Sequence, residues 1–152
     1  MYQSRIHATN GILSLALDAL NGEVLELVRE STWDNVAKNH VQKAYSLLEG
    51  ILHTEEADLR FHVPRYLEIA ADESLKPLIR VEQRETSATV SLHYPALMCD
   101  TGKLAISAGI TIELGEEEAR SVWRLSLDNR TEYEIYEVAF PSLNGMWLGE
   151  SW

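Results

Sequence analysis

Lys103-Leu104-Ala105-Ile106-Ser107-Ala108-Gly109-Ile110-Thr111-Ile112-Glu113-Leu114 alternates without a break: even positions from Leu104 to Leu114 are apolar, and the odd ones include Lys103, Ser107, Thr111 and Glu113. Side chains of an extended chain project to opposite faces in turn, so this period of two predicts one long half-buried strand. Upstream, Ala88, Val90, Leu92 and Tyr94 alternate with Ser87, Thr89, Ser91 and His93. Pro95, which has no N–H to give, closes that ladder. Before it, Ser74-Leu75-Lys76-Pro77 reads as a connection, and residues 78–83 as a short strand with Ile79 and Val81 on its buried face. Downstream, Trp123, Leu125 and Leu127 alternate with Arg124, Ser126 and Asp128. The turn-forming Asp128-Asn129-Arg130 then leads into Tyr133, Ile135, Tyr136, Val138 and Phe140, which together read as a hairpin. Apolar parity changes between Ile135 and Tyr136, which favours a β-bulge over burial on both faces. Residues 78–140 are expected to form the larger sheet.

The first half carries a weaker pattern. Leu13, Leu15 and Leu17 alternate with Ser14, Ala16 and Asp18, and Asn21-Gly22, a pair tolerant of positive φ, precedes Val24, Leu25, Leu27 and Val28. A helix over 12–30 is the rival, with Ile12, Leu15, Ala16, Ala19 and Leu20 on one face, but Gly22 in its middle costs about 1 kcal/mol relative to Ala. The hairpin is preferred. Between Val41 and Leu52 a helical stripe and a strand fit equally well, so residues 34–58 hold at most one or two short helices. The expected fold is therefore all-β: an antiparallel β-sandwich occupying residues 1–152 as one domain, with no linker, repeat or low-complexity tract dividing it.

Composition limits function. The 152 residues carry 13 Lys+Arg against 24 Asp+Glu, a net charge of −11, with 45% hydrophobic and 24% charged residues. A soluble globular domain is expected, and such a charge repels phosphate backbones and anionic leaflets, so neither nucleic acid nor a membrane is an expected partner. Without an apolar leader after Met1, the chain as written is expected to be cytoplasmic by default. The single Cys99 has no partner for an internal disulfide and no neighbouring ligand for zinc. His7, His40, His53, His62 and His93 fall in no metal-binding spacing, and neither a cofactor nor a metal is expected.

Candidate chemistry is sparse. Glu116-Glu117-Glu118 reads as a solvated turn, and Glu132, Glu134 and Glu137 lie along an open strand, so no catalytic residue is expected among them. Asn129-Arg130-Thr131 matches a glycosylation acceptor but reads as turn chemistry. Aromatic faces can stack on the C–H surface of a pyranose. Trp123 shares the inward parity of Leu125 and Leu127 and is expected in the core, Trp147 and Trp152 at the chain end read first as packing against something that follows, and Trp33 and Trp147 are the candidate carbohydrate-binding residues. The last residues, Met146-Trp147-Leu148-Gly149-Glu150-Ser151-Trp152, are apolar in a way that chain ends seldom are, which predicts a truncated chain.

The order of these pieces resembles a known family. The hairpin of Asn10 to Leu17, Asn21-Gly22 and Val24 to Leu27 comes first. Val81-Glu82-Gln83, Val90-Ser91-Leu92-His93-Tyr94 and the strand ending Ile110-Thr111-Ile112 follow. Then come Trp123-Arg124-Leu125-Ser126-Leu127-Asp128-Asn129-Arg130-Thr131 and Val138-Ala139-Phe140-Pro141-Ser142-Leu143-Asn144-Gly145. The chain is similar to the N-terminal β-supersandwich, related to the galactose mutarotase fold, of bacterial glycoside hydrolase-like proteins of the DUF6259 type. The resemblance spans most of the chain and is specific from Trp123 to Gly145. It implies that the chain is the N-terminal part of a longer protein, a carbohydrate-active parent whose catalytic carboxylates sit in a following (β/α)₈ barrel. It also implies that the sandwich packs against that barrel and sometimes lends a loop to the substrate rim, with no catalytic residue of its own. Carbohydrate and a C-terminal catalytic domain are the implied partners. The alternative is a stand-alone, non-enzymatic carbohydrate-binding or protein-interaction β-sandwich.

Overall fold

The computed structural model describes residues 4–29, 34–38, 49–58, 63–70, 76–99 and 102–141. These form three antiparallel sheets, and among the described residues there is no helix. The first sheet has the order β1 (Arg5–Thr9), β2 (Leu13–Asp18), β3 (Val24–Arg29), β4 (Asp34–Lys38). The second takes β5 (Glu49–Asp58) and β6 (Val63–Ala70) together with β9 (Leu97–Cys99), β10 (Gly102–Leu104) and β13 (Glu134–Ala139), in the order β10-β9-β6-β5-β13. The third, β12-β11-β8-β7, is built from β7 (Leu78–Gln83), β8 (Ala88–Tyr94), β11 (Ile106–Leu114) and β12 (Ser121–Asn129). The chain is an all-β, sandwich-like protein.

The core follows from the alternation. Ile106, Ala108, Ile110, Ile112 and Leu114 of β11 and Ala88, Val90, Leu92 and Tyr94 of β8 are all buried, and the register sets Ile110 opposite Leu92 and Ile112 opposite Val90. From the first sheet, Ala8, Leu13, Leu15, Leu17 and Leu27 complete the same cluster, and Leu97 of β9 joins it from the second. Trp123, Leu125 and Leu127 pack against it half-buried, as their parity predicts. Cross-strand aliphatic contact of this kind is the main stabilising unit of a sheet, and each buried Leu or Ile contributes about 1.5–3 kcal/mol relative to exposure.

Polar clasps join the first sheet to the third. Asn10, buried in the β1–β2 turn, accepts at Oδ1 from the N–H groups of Ile12 (3.0 Å) and Leu13 (2.7 Å). Its Nδ2 donates to the carbonyls of Gly115 (2.6 Å) and Glu118 (2.9 Å) in the β11–β12 loop. Tyr94 donates its hydroxyl to the Asn21 carbonyl at 2.6 Å. Gln83 pairs its carboxamide with Thr9 as a peptide group would, accepting from the Thr9 N–H at 3.0 Å and donating to the Thr9 carbonyl at 2.6 Å.

The hairpin preferred over a helix for the first half is present as β2–β3, but its turn is longer than a two-residue Asn-Gly link. Asp18 N–H bonds the Glu23 carbonyl and Gly22 N–H bonds the Asp18 carbonyl, enclosing residues 19–22, and only Gly22 (φ 76°) uses the left-handed region. Of residues 34–58, the described parts are strand: β4, and β5 from Glu49 onward. The expected long strand over residues 103–114 is divided at Ala105, since Lys103 and Leu104 pair with β9 while Ile106 onward pairs with β8 and β12. Periodicity carries through this break because both pieces bury their even positions at least in part. The expected hairpin of residues 123–140 does not form: β12 pairs with β11, and β13 crosses to pair with β5. Hence residues 78–140 span two sheets, and the larger one is the five-stranded sheet. The irregularity expected at Ile135/Tyr136 is there, as a register shift between Ile135 and Glu137.

Candidate functional site

The outward face of the third sheet carries aligned polar side chains. Because β8, β11 and β12 turn their apolar positions inward, their alternate residues share the other face. The antiparallel register aligns these in rows. Arg80, Ser91, Thr111 and Arg124 form one row across the four strands, and Leu78, His93, Gly109 and Ser126 form the next. Gly109 is central to the second row and contributes no side chain, which leaves a shallow depression of about 450 Å³. Ser91, Thr111, Arg124 and Ser126 line it over a floor drawn from Leu92, Ile110 and Leu125. A Cβ built on Gly109 would meet nothing nearer than the Ser126 Cβ at 4.0 Å, so the hollow comes from residue choice and not from backbone crowding.

The rim is charged. Arg124 forms an ion pair with Glu113 at 2.7 Å, a diagonal contact between adjacent strands. The hydrogen bond to the Glu113 carboxylate, together with its charge, raises the Arg124 pKa above its ordinary value, so the guanidinium is a fixed donor. Arg80 stands exposed at the opposite edge of the same row. Two hydroxyls, Ser91 and Thr111, between the two guanidinium groups, with Ser126 in the adjoining row, offer both donors and acceptors, a set suited to an oxygen-rich ligand lying flat on the sheet.

The structure places the residues singled out in the sequence as follows. Trp33 and Trp147, the candidate carbohydrate-binding residues, lie outside the described residues, as do His40, His62 and Trp152. Trp123 donates its indole N–H to Ser121 Oγ at 2.8 Å and faces the core. His7 and His93 are exposed, and Glu116, Glu117 and Glu118 form the solvated β11–β12 turn, with Glu117 at φ 51°. Glu132 and Glu134 are exposed. Asn129-Arg130-Thr131 is turn chemistry as expected, with Asn129 Oδ1 accepting from the Thr131 N–H (3.0 Å) and hydroxyl (2.6 Å). Among the described residues no group of three His, Cys, Asp or Glu side chains is placed to hold a metal.

Alternation marks the odd positions of β11 only as the polar side of a strand, so it does not single out this outer face. A signal was present: glycine weakens a strand interior, and Gly109 stands in the middle of a run otherwise rich in β-branched residues. No protein-family model, curated protein or solved structure matches the chain.

Proposed function

We propose that this chain is a β-sandwich domain of a carbohydrate-active, glycoside hydrolase-like protein, in which it serves packing and the substrate rim and leaves the chemistry to carboxylates supplied by a following domain. The observation carrying this reading is the depression at Gly109, whose Ser91, Thr111 and Ser126 hydroxyls and Arg124 guanidinium match the hydrogen-bonding needs of saccharide hydroxyls. The resemblance of Trp123–Gly145 to supersandwich domains supports the same direction. In such a parent, glycosidic bond hydrolysis would proceed through a general acid and a nucleophile or base, both carboxylates.

A saccharide panel titrated into the ¹⁵N-labelled protein tests the reading. Binding is expected to shift the amides of Ser91, Gly109, Thr111 and Ser126 together, and Arg124→Ala is expected to weaken it. Trp33→Ala and Trp147→Ala test whether those tryptophans take part, through loss of a ligand-induced fluorescence change. A flat response across mono- and oligosaccharides would remove the glycan reading.

A second reading, a protein-interaction sandwich, draws on Leu20 and Leu78, which are 60% and 66% exposed. Leu20→Ser, away from the outer face of the third sheet, should then change the oligomeric state in sedimentation while leaving any saccharide titration intact.

A further inference from the structure

Asn10 is followed by Gly11, and the structure ties down both partners of this pair. Side-chain cyclisation at an Asn-Gly step needs the glycine nitrogen to attack the Asn Cγ, because glycine offers no side chain to hinder ring closure. Ammonia leaves and a five-membered imide forms. Water then opens either carbonyl of the imide, giving aspartate or, with the chain rerouted through the side chain, isoaspartate. The balance is Asn plus water to Asp plus ammonia, with no oxidant or reductant.

In the folded protein each participant is held. The Gly11 N–H donates to Thr9 Oγ1 at 3.0 Å. The Asn10 carboxamide makes four bonds, two at Oδ1 and two from Nδ2. Attack would make Cγ tetrahedral and move Oδ1 and Nδ2 out of the plane that serves those bonds. The N–H groups of Ile12 and Leu13 do polarise the carbonyl toward attack, but ring closure breaks the bonds to Gly115 and Glu118 that dock one sheet on the other.

We infer that Asn10 is a modification site guarded by the fold: it deamidates only when the β1–β2 corner opens, and the product then opposes closure. A carboxylate accepts but does not donate, so the carbonyls of Gly115 and Glu118, each now served by Nδ2, would face an anion in a buried position. The adjoining Glu116, Glu117 and Glu118 side chains add like charge. Conversion is therefore self-reinforcing, a chemical record of time spent open.

The test incubates the wild-type protein at pH 8 and 37 °C, folded and in denaturant, and follows mass gain and isoaspartate at Asn10 by peptide mapping. Conversion in the folded protein is expected to be slower on the order of tenfold or more, since it must wait for local opening. Gly11→Ala should slow the reaction in denaturant, where only the nucleophile matters. The fraction carrying one extra negative charge, shown by peptide mapping to be converted at Asn10 and not at Asn21 or Asn144 and then refolded, should unfold at lower denaturant than unconverted protein. Equal rates at Asn10 in folded and denatured chains would overturn the proposal, as would a converted fraction of unchanged stability. Full resistance at Asn10 in denaturant would overturn it as well.

Discussion

Gly22 shows how little room one position can leave. It sits at φ 76° against the core, and a Cβ there would strike the Leu92 side chain and lie 2.7 Å from the Tyr94 hydroxyl. Gly22→Ala is expected to cost about 2–4 kcal/mol, combining left-handed strain with overpacking, measured as a lower urea midpoint at constant slope. Tyr94, fully buried, carries a pH dependence. Burial first, and the charge of Glu23 second, push its phenol well above the ordinary value of 10.0. The native state thus keeps a proton that the unfolded state loses above about pH 10, so stability present below that pH declines as pH rises further, by up to about 1.4 kcal/mol per unit for this group. Tyr94→Phe should flatten the wild-type slope of stability against pH above 10, and it should also cost about 1–2 kcal/mol at pH 7 through the bond lost to the Asn21 carbonyl. An unaltered alkaline slope in the variant would refute the assignment.

Elements were legible in the sequence wherever one face is buried and the other wet. In β8 and β11 buried residues alternate strictly with less buried ones, which is the condition under which periodicity reports structure. Boundaries were not legible where the chain changes sheet without changing parity. Ala105 separates two strands yet interrupts no alternation, and only the choice of partner, a tight hairpin with β9 on one side and pairing with β8 and β12 on the other, divides them. The turn at Asn129 misled in the same way: local hydrogen bonding of Asn129 with Thr131 and Tyr133 is hairpin-like, while partner choice is decided by β5, some eighty positions upstream. The candidate site shows in the sequence only as the glycine that interrupts a β-branched run, because which residues flank Gly109 on the outer face is set by cross-strand register. Gly109→Val tests both meanings of that residue. The added branched side chain suits the extended backbone and should leave stability unchanged or raise it by about 0.5–1 kcal/mol, seen as a higher melting temperature. The same change fills the depression and should abolish the saccharide-induced amide shifts.

At the scale of the molecule, the second and third sheets are interleaved along the chain. β8 leads to β9 and β10, the chain returns for β11 and β12, and it departs again for β13. Neither sheet can be assembled from one contiguous segment, so unfolding is expected as one transition. Far-ultraviolet circular dichroism and tryptophan fluorescence should give coincident urea curves, and separated midpoints would contradict this. The edge at Thr9 adds a consequence for concentrated solutions. The outer rim of β1 presents its Thr9 N–H and carbonyl to the Gln83 carboxamide, which occupies the place that a strand from another molecule would take. This side chain is therefore expected to hinder cross-β growth at that point of the edge, and Gln83→Ala, an exposed position, should shorten the lag before fibrils bind thioflavin T.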